Sequence, residues 1–279
     1  MTAIRAILVS DSHLSPDAPE ADANWAAVRR HIAAAAPDLV IHLGDLSLDG
    51  ARNASDLDYA RQRMDLLPVP WRVVPGNHDV GDNPWPGAPD GAVVDDSRRQ
   101  RWLDAVGIDR WSLTIGGWTL LAINAQLAGS DLAAEEEQWS WLAEQVRACA
   151  DGQRIALISH KPLAAGEAEM AAAPPYRFWP RPARDRLTAI FGGRWPALVI
   201  SGHVHQFRQL ELGGADHLWA PTTWAVLPDD VQPVLGAKRC GIASVVFDSA
   251  GPPEATFAEP DGIVQLTMRT DIPDPYQRH

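Results

Sequence analysis

Short apolar runs alternate with amphipathic stretches through the first third of the chain. Ile4 to Val9, Leu39 to Leu43 and Trp71 to Val74 read as strands, and Asn24 to Ala36 and Asn53 to Leu67 read as helices. Strand, helix, strand, helix, strand is the order of a parallel sheet with crossover helices. Farther along, Asp96 to Val106 and Glu135 to Ala148 carry helical spacing, and Arg154 to Ser159 and Ala197 to Ser201 are buried-strand runs. Trp111 to Ile115 and Trp118 to Ile123, separated by Gly116-Gly117, predict a hairpin with a two-residue turn. From Phe207 to Met268, short β-type runs broken by Gly and Pro predict a second, more antiparallel sheet. Loop excursions over 81–110 and 163–195, richest in breakers at Gly81 to Val93 and Leu163 to Arg184, are expected near whatever site the strands build. Residues 1–279 read as one domain without internal repeats, with Thr270 to His279 expected to fray.

Composition narrows the class. The chain is 46% hydrophobic and 22% charged, which excludes disorder along its whole length. A formal charge of -12 argues against long nucleic acid as a partner, because that binding is driven by Lys and Arg displacing counterions. Cys149 and Cys240 lie too far apart in sequence for a disulfide framework or a thiolate zinc site, so a reducing compartment is expected. No apolar run approaches the ~18 residues of a spanning helix, and the N-terminal apolar stretch is too short for a secretory signal. The expectation is a cytoplasmic protein without a membrane partner. Trp139 and Trp141 stand two apart on one helix and cannot face the same way, which leaves one for solvent or for a second subunit of a homodimer.

The chemistry sits where the strands end. Each of the first three strands runs into a polar segment: Asp11-Ser12-His13, then Gly44-Asp45, then Gly76-Asn77-His78-Asp79. Ser159-His160 and Gly202-His203-Val204-His205 follow the two later strands in the same way. Sites in open α/β sheets form at the carboxyl ends of strands. Two carboxylates, one amide oxygen and four imidazoles suit two divalent first-row metals sharing a bridge, and Asp45, alone between the other pairs, is the natural bridging carboxylate. Gly44, Gly76 and Gly202 are expected to let the backbone turn sharply as it leaves each strand.

Any one of these motifs is common by chance, but five in order at strand ends are not. Together they resemble the calcineurin-like metallophosphoesterase superfamily, whose series is D-x-H, G-D, G-N-H-D/E, H and G-H-x-H, over Asp11 to His205. That resemblance implies a four-layer αββα sandwich of two mixed sheets flanked by helices. It also implies that Asp11, His13 and His205 hold a first metal, that Asn77, His160 and His203 hold a second, and that Asp45 bridges them. His78 would contact the phosphoryl group or protonate the leaving group, oriented by Asp79, and a hydroxide shared by the metals would attack. Manganese, iron and zinc are all compatible with a thiolate-free donor set. The segment Gly44 to Gly50 lacks the Arg of the Ser/Thr protein phosphatases, and Leu48 and His13 depart from the purple acid phosphatases. What remains is similar to the class III cyclic nucleotide phosphodiesterases and their glycerophosphodiester relatives. The implied substrate is a small phosphodiester, with a phosphomonoesterase and a non-catalytic metal-binding scaffold as alternatives.

Other polar residues carry weaker signals. His42, inside a buried strand, reads as a hydrogen-bonded core imidazole. Arg177, Arg181, Arg184 and Arg186 read either as a phosphate clamp or as a solvated helix face. Trp85 and Trp179 are candidates to stack on a substrate's base or apolar portion.

Overall fold

A computed structural model describes residues 3–89, 91–150, 152–171, 177–248, 251 and 253–272. The strands β1 (Ile4–Val9), β2 (Leu39–His42) and β3 (Trp71–Val73) pair in parallel as expected, linked by the helices α1 (Pro19–Ala35) and α2 (Ala54–Asp65). Helix α1 begins earlier than its apolar periodicity suggested. Pro19 occupies its first turn with Glu20 and Asp22, a proline and acidic start that offsets the positive end of the helix. After α3 (Asn77–Val80) and α4 (Asp96–Ala105), β4 (Trp111–Ile115) and β5 (Trp118–Ala122) form the expected hairpin. Gly116 and Gly117 both have positive φ, as a two-residue turn of matching twist demands.

A second parallel run follows: α5 (Ala133–Ala148), β6 (Arg154–Ile158), α6 (Glu167–Ala171), α7 (Arg181–Ile190) and β7 (Leu198–Ser201). Then come β8 (Arg208–Leu212), β9 (Ala215–Trp219), β10 (Ile242–Phe247) and β11 (Glu254–Ala258). The order of the first sheet is β11-β10-β1-β2-β3 and that of the second is β4-β5-β6-β7-β9-β8. The expected parallel and antiparallel halves are therefore redistributed. β10 and β11 leave the second sheet and pair antiparallel onto β1 and onto each other, while β5, β6, β7 and β9 of the second sheet are parallel. Both sheets are mixed.

Alternation along the strands explains the layers. Ala6 and Leu8 of β1 face the other sheet, where they meet Leu120, Ile158 and Ile200, whereas Ile7 and Val9 face Trp25, Val28 and Ile32 of α1. In the second sheet Leu157 and Val199 face outward onto Trp139 and Leu142 of α5 and Leu187 of α7. Helices, sheet, sheet, helices make the four-layer αββα sandwich. Trp139 is buried in the outer layer and Trp141 partly so. Among the described residues no helix is long and apolar enough to cross a membrane.

Candidate metal centre

All five predicted segments converge at one end of the two sheets. The first two are stitched together beyond their strands: Asp11 N donates to Gly44 O at 3.0 Å, His13 N to Asp45 O at 3.0 Å and Leu14 N to Leu46 O at 2.9 Å. Asp11 Oδ2 accepts from Ser10 Oγ at 2.5 Å and from His203 N at 3.0 Å, which brings the last segment onto the first. Asp45 Oδ1 accepts from His78 N at 2.8 Å, which brings in the third.

The glycines act mostly through proximity. Gly44 alone of the three expected turn formers has a positive φ, 98°. A Cβ on Gly76 would lie 2.2 Å from Asp45 Oδ1, and one on Gly202 would lie 1.8 Å from Ser10 Oγ. The backbone strain falls on the ligand-type residues themselves. Asp11, His13, Asp45, His203 and His205 all have φ between 45° and 68°, the left-handed region, whereas few other non-glycine residues do. Strained backbone of this kind clusters at functional sites, where the surrounding hydrogen bonds hold it.

Two groups of donor atoms result, sharing the Asp45 neighbourhood. In one, Asp11 Oδ1 and His205 Nε2 are 3.2 Å apart, with His13 close by and His13 Nε2 3.9 Å from Asp45 Oδ2. In the other, His160 Nε2 lies 3.2 Å from Asp45 Oδ2, 3.2 Å from Asn77 Oδ1 and 3.1 Å from His203 Nδ1. Ligands held about 2.1 Å from a common cation at right angles lie about 3 Å apart, so these spacings match a shared ion. The outward ring nitrogens are fixed by carbonyls: His160 Nδ1 by Leu43 O at 2.7 Å and His205 Nδ1 by Ala225 O at 2.6 Å. Those bonds place the proton on Nδ1 and turn the Nε2 lone pair inward. His13 Nδ1 and Nε2 and Asp11 Oδ1 are buried without a hydrogen-bond partner. Such orphaned donors fit a bound cation.

The electrostatics agree. Burial, reinforced by His78, holds His13 well below its usual pKa, and burial with His160 does the same to His203, so both present lone pairs. Burial opposes charge on His160, but Asp45 outweighs it and pushes the ring up to about 9, the response of a cluster short of positive charge.

His78 stands beside both groups, its ring 4.5 Å from that of His13, with Nδ1 against Leu48 O at 2.7 Å. Here the expected arrangement changes. Asp79 accepts from Gly76 N at 2.8 Å, Leu46 N at 3.1 Å, and Ser47 N and Oγ at 2.9 and 2.7 Å. Its carboxylate therefore braces the loop carrying Asp45, and the carbonyl of Leu48 orients His78. Burial and then the charge of Asp45 raise Asp79 to about 6, against the hydrogen bonds from Gly76 and Ser47.

A cavity of about 470 Å³ opens over Asn77, His78 and His203, walled by Leu48, Asp82 and Trp85. Trp85, half-buried, thus stays a candidate substrate contact. Trp179 does not: it is buried in the outer core, 6.0 Å from Trp139, with Nε1 donating to Lys161 O. The arginines of the second excursion also serve packing. Arg177 donates to Val231 O, Arg184 is buried and donates to Glu169 O, Arg186 pairs with Glu136, and Arg181 lies 3.8 Å from Asp185. None of the four lines the cavity among the described residues. Pro174 and Pro175 lie outside those residues. His42 is the expected core imidazole, with Nδ1 accepting from Gly44 N and Nε2 2.8 Å from Ser12 Oγ. Sequence reasoning missed Trp224, buried with its ring 4.7 Å from His13, because an isolated tryptophan after β9 carries no pattern to mark it.

Comparison with known proteins accords with this geometry. The profile of the family described as Calcineurin-like phosphoesterase matches residues 4–207. A protein of Arcobacter nitrofigilis described as a probable glycerophosphodiester phosphodiesterase GpdQ is 26% identical over 174 residues, covering 61% of this chain and 57% of that relative. Similar solved structures include a dimetal phosphatase from Danio rerio, with a TM-score of 0.59 and 14% identity over 92% of this chain and 97% of that one. GAP50 of Plasmodium gives 0.63 and 13% over 95% and 87%. A purple acid phosphatase from yellow lupin gives 0.60 and 14% over 95% and 54%. These structures share the fold. The chain belongs to the calcineurin-like phosphoesterases.

Proposed function

We propose that this calcineurin-like phosphoesterase is a two-metal hydrolase of small phosphodiesters, of the cyclic nucleotide or glycerophosphodiester type, working as one unit over residues 1–279. The observation that carries the reading is the pair of donor groups sharing Asp45, with His78 between them and the cavity. The likeness over part of its length to a relative described as a probable glycerophosphodiester phosphodiesterase supports the diester side of it.

Asp11, His13 and His205 would hold one cation and Asn77, His160 and His203 the other, with Asp45 common to both. Manganese, iron or zinc would each suit these N and O donors. Such ions supply an acidified water and neutralise charge developing on a phosphate. The protein's own groups do the rest. His78, its Nδ1 fixed by Leu48 O, offers Nε2 to the phosphoryl oxygens or carries a proton to the leaving oxygen. Asp79 keeps the Asp45 loop in place, and so acts on the reaction through position. A cavity of about 470 Å³ takes a small diester with little room to spare, and Trp85 offers a ring face to its leaving portion. Two free, unlinked thiols, Cys149 half-buried and Cys240 buried, accord with a reducing cytoplasm.

The test is turnover of aryl phosphate esters by protein purified with manganese. The diester is expected to be cleaved faster than the monoester. The reverse order would make the protein a monoesterase, and bound metal with no turnover of either would make it a scaffold.

A further inference from the structure

Lys161 directly follows His160 at the end of β6, in a chain whose basic residues are nearly all arginine. Its side chain is 1% exposed, and its ammonium is ion-paired with the carboxylate of Asp82. A buried ammonium is tolerated only when a partner offsets its lost hydration, so this pair holds two segments at a fixed separation. One is the end of β6, where Lys161 O accepts from Ser159 Oγ at 2.9 Å and from Trp179 Nε1 at 3.0 Å. The other is the loop after α3. Asp82 N donates to Ala92 O at 2.8 Å and Val94 N to Asp82 O at 2.8 Å, which closes the base of that loop. Asp82 and Trp85 both wall the cavity. The outer rim of the loop is secured separately, by the Arg98 guanidinium, which donates to Gly91 O at 2.7 Å and to Ala51 O at 3.1 Å. Among the described residues no backbone hydrogen bond joins the end of β6 to this loop, so the ion pair is their direct polar link.

We infer that Lys161 is a positioning residue: acting through Asp82, it sets the spacing between the His160 side of the metal centre and the loop walling the cavity, and so how closely the substrate's leaving portion is held. This rests on the phosphodiesterase reading for its kinetic consequences but not for its structural ones. Displacing a wall by about 1 Å weakens alignment of a bound substrate strongly.

The experiment compares Lys161→Met, Asp82→Asn and the double variant in full-length protein purified with manganese. Each is expected to raise KM for an aryl phosphodiester by about tenfold while kcat moves less than about threefold, the pattern of lost substrate positioning. The double variant should be no worse than either single one, and Lys161→Arg should restore most of the KM. Amide hydrogen exchange across residues 81–94 should quicken in Lys161→Met with the metal content unchanged. Additive KM effects, or a kcat loss from Lys161→Met that persists in the Asp82→Asn background, would mean that Lys161 touches substrate directly and would overturn the inference. Unchanged exchange in that loop would also overturn it. Should Lys161→Met not fold, Asp82→Asn keeps the side-chain shape and carries the same exchange test. A wild-type protein that cleaves no phosphate ester sinks the proposed function alone, because loop exchange still decides on Lys161.

Discussion

The two donor groups are built from the same side-chain types and differ in access. Asp11, His13 and His205 are sealed, with Trp224 laid against His13 and the carbonyl of Ala225 behind His205. Asn77 and His203 are half-buried and form part of the cavity surface. One centre can thus contain a cation that is retained and another that meets solvent and ligand. Which role a group plays follows from what covers it more than from its donor list.

The comparison is broken most severely at the residue common to both groups. Asp45→Asn should lower turnover of an aryl phosphodiester by on the order of 10⁴ and empty both groups, as elemental analysis would record. His78→Ala should lower kcat about 10²- to 10³-fold with the cation content intact, which separates proton handling from ion binding. His203→Ala and His205→Ala sharpen the contrast between the groups. Both should weaken ion affinity about 10- to 100-fold, but brief exposure of wild type to a chelator should remove one equivalent quickly and the second slowly. Equal loss rates would contradict the contrast between sealed and open.

Trp224→Ala should destabilise the fold by about 3 kcal/mol and let the slow equivalent leave faster, since the lid over His13 is gone. Outside both groups, His217 serves as a control. Burial holds its imidazole down to about 4 from 6.5, so below pH 6.5 the unfolded chain takes up a proton that the folded chain refuses. Stability should therefore fall between pH 6.5 and 4, by up to about 3 kcal/mol. His217→Gln should flatten that part of the melting profile and leave turnover near neutral pH unaltered.

Much of the centre was legible in the sequence because its ligands sit at the ends of elements with clear periodicity. Asp11, Asp45, Asn77 and His160 follow apolar runs, and parallel strands bring such ends together. Partner choice was less legible. β10 pairs with β1 across most of the chain, and an apolar run specifies a strand without naming its neighbour. Asp79 was misplaced for a related reason: adjacency to His78 in sequence says little once α3 turns the two side chains apart, toward Leu46 and Ser47 in one case and Leu48 in the other. Trp179 and Trp85 looked alike in sequence, since both lie in breaker-rich stretches, yet only one sits beside the cavity.

The left-handed backbone at five ligand positions restricts how this centre can drift. Aspartate and histidine are among the few residues besides glycine that tolerate such torsion angles. At Asp11, His13, Asp45, His203 and His205 the demands of coordination and of chain geometry thus select the same short menu. A replacement by alanine or leucine is penalised on both counts, whereas glycine or asparagine relieves one of them. An inert version that keeps its shape, useful for trapping an uncleaved ester, is therefore better made with those two than by alanine scanning.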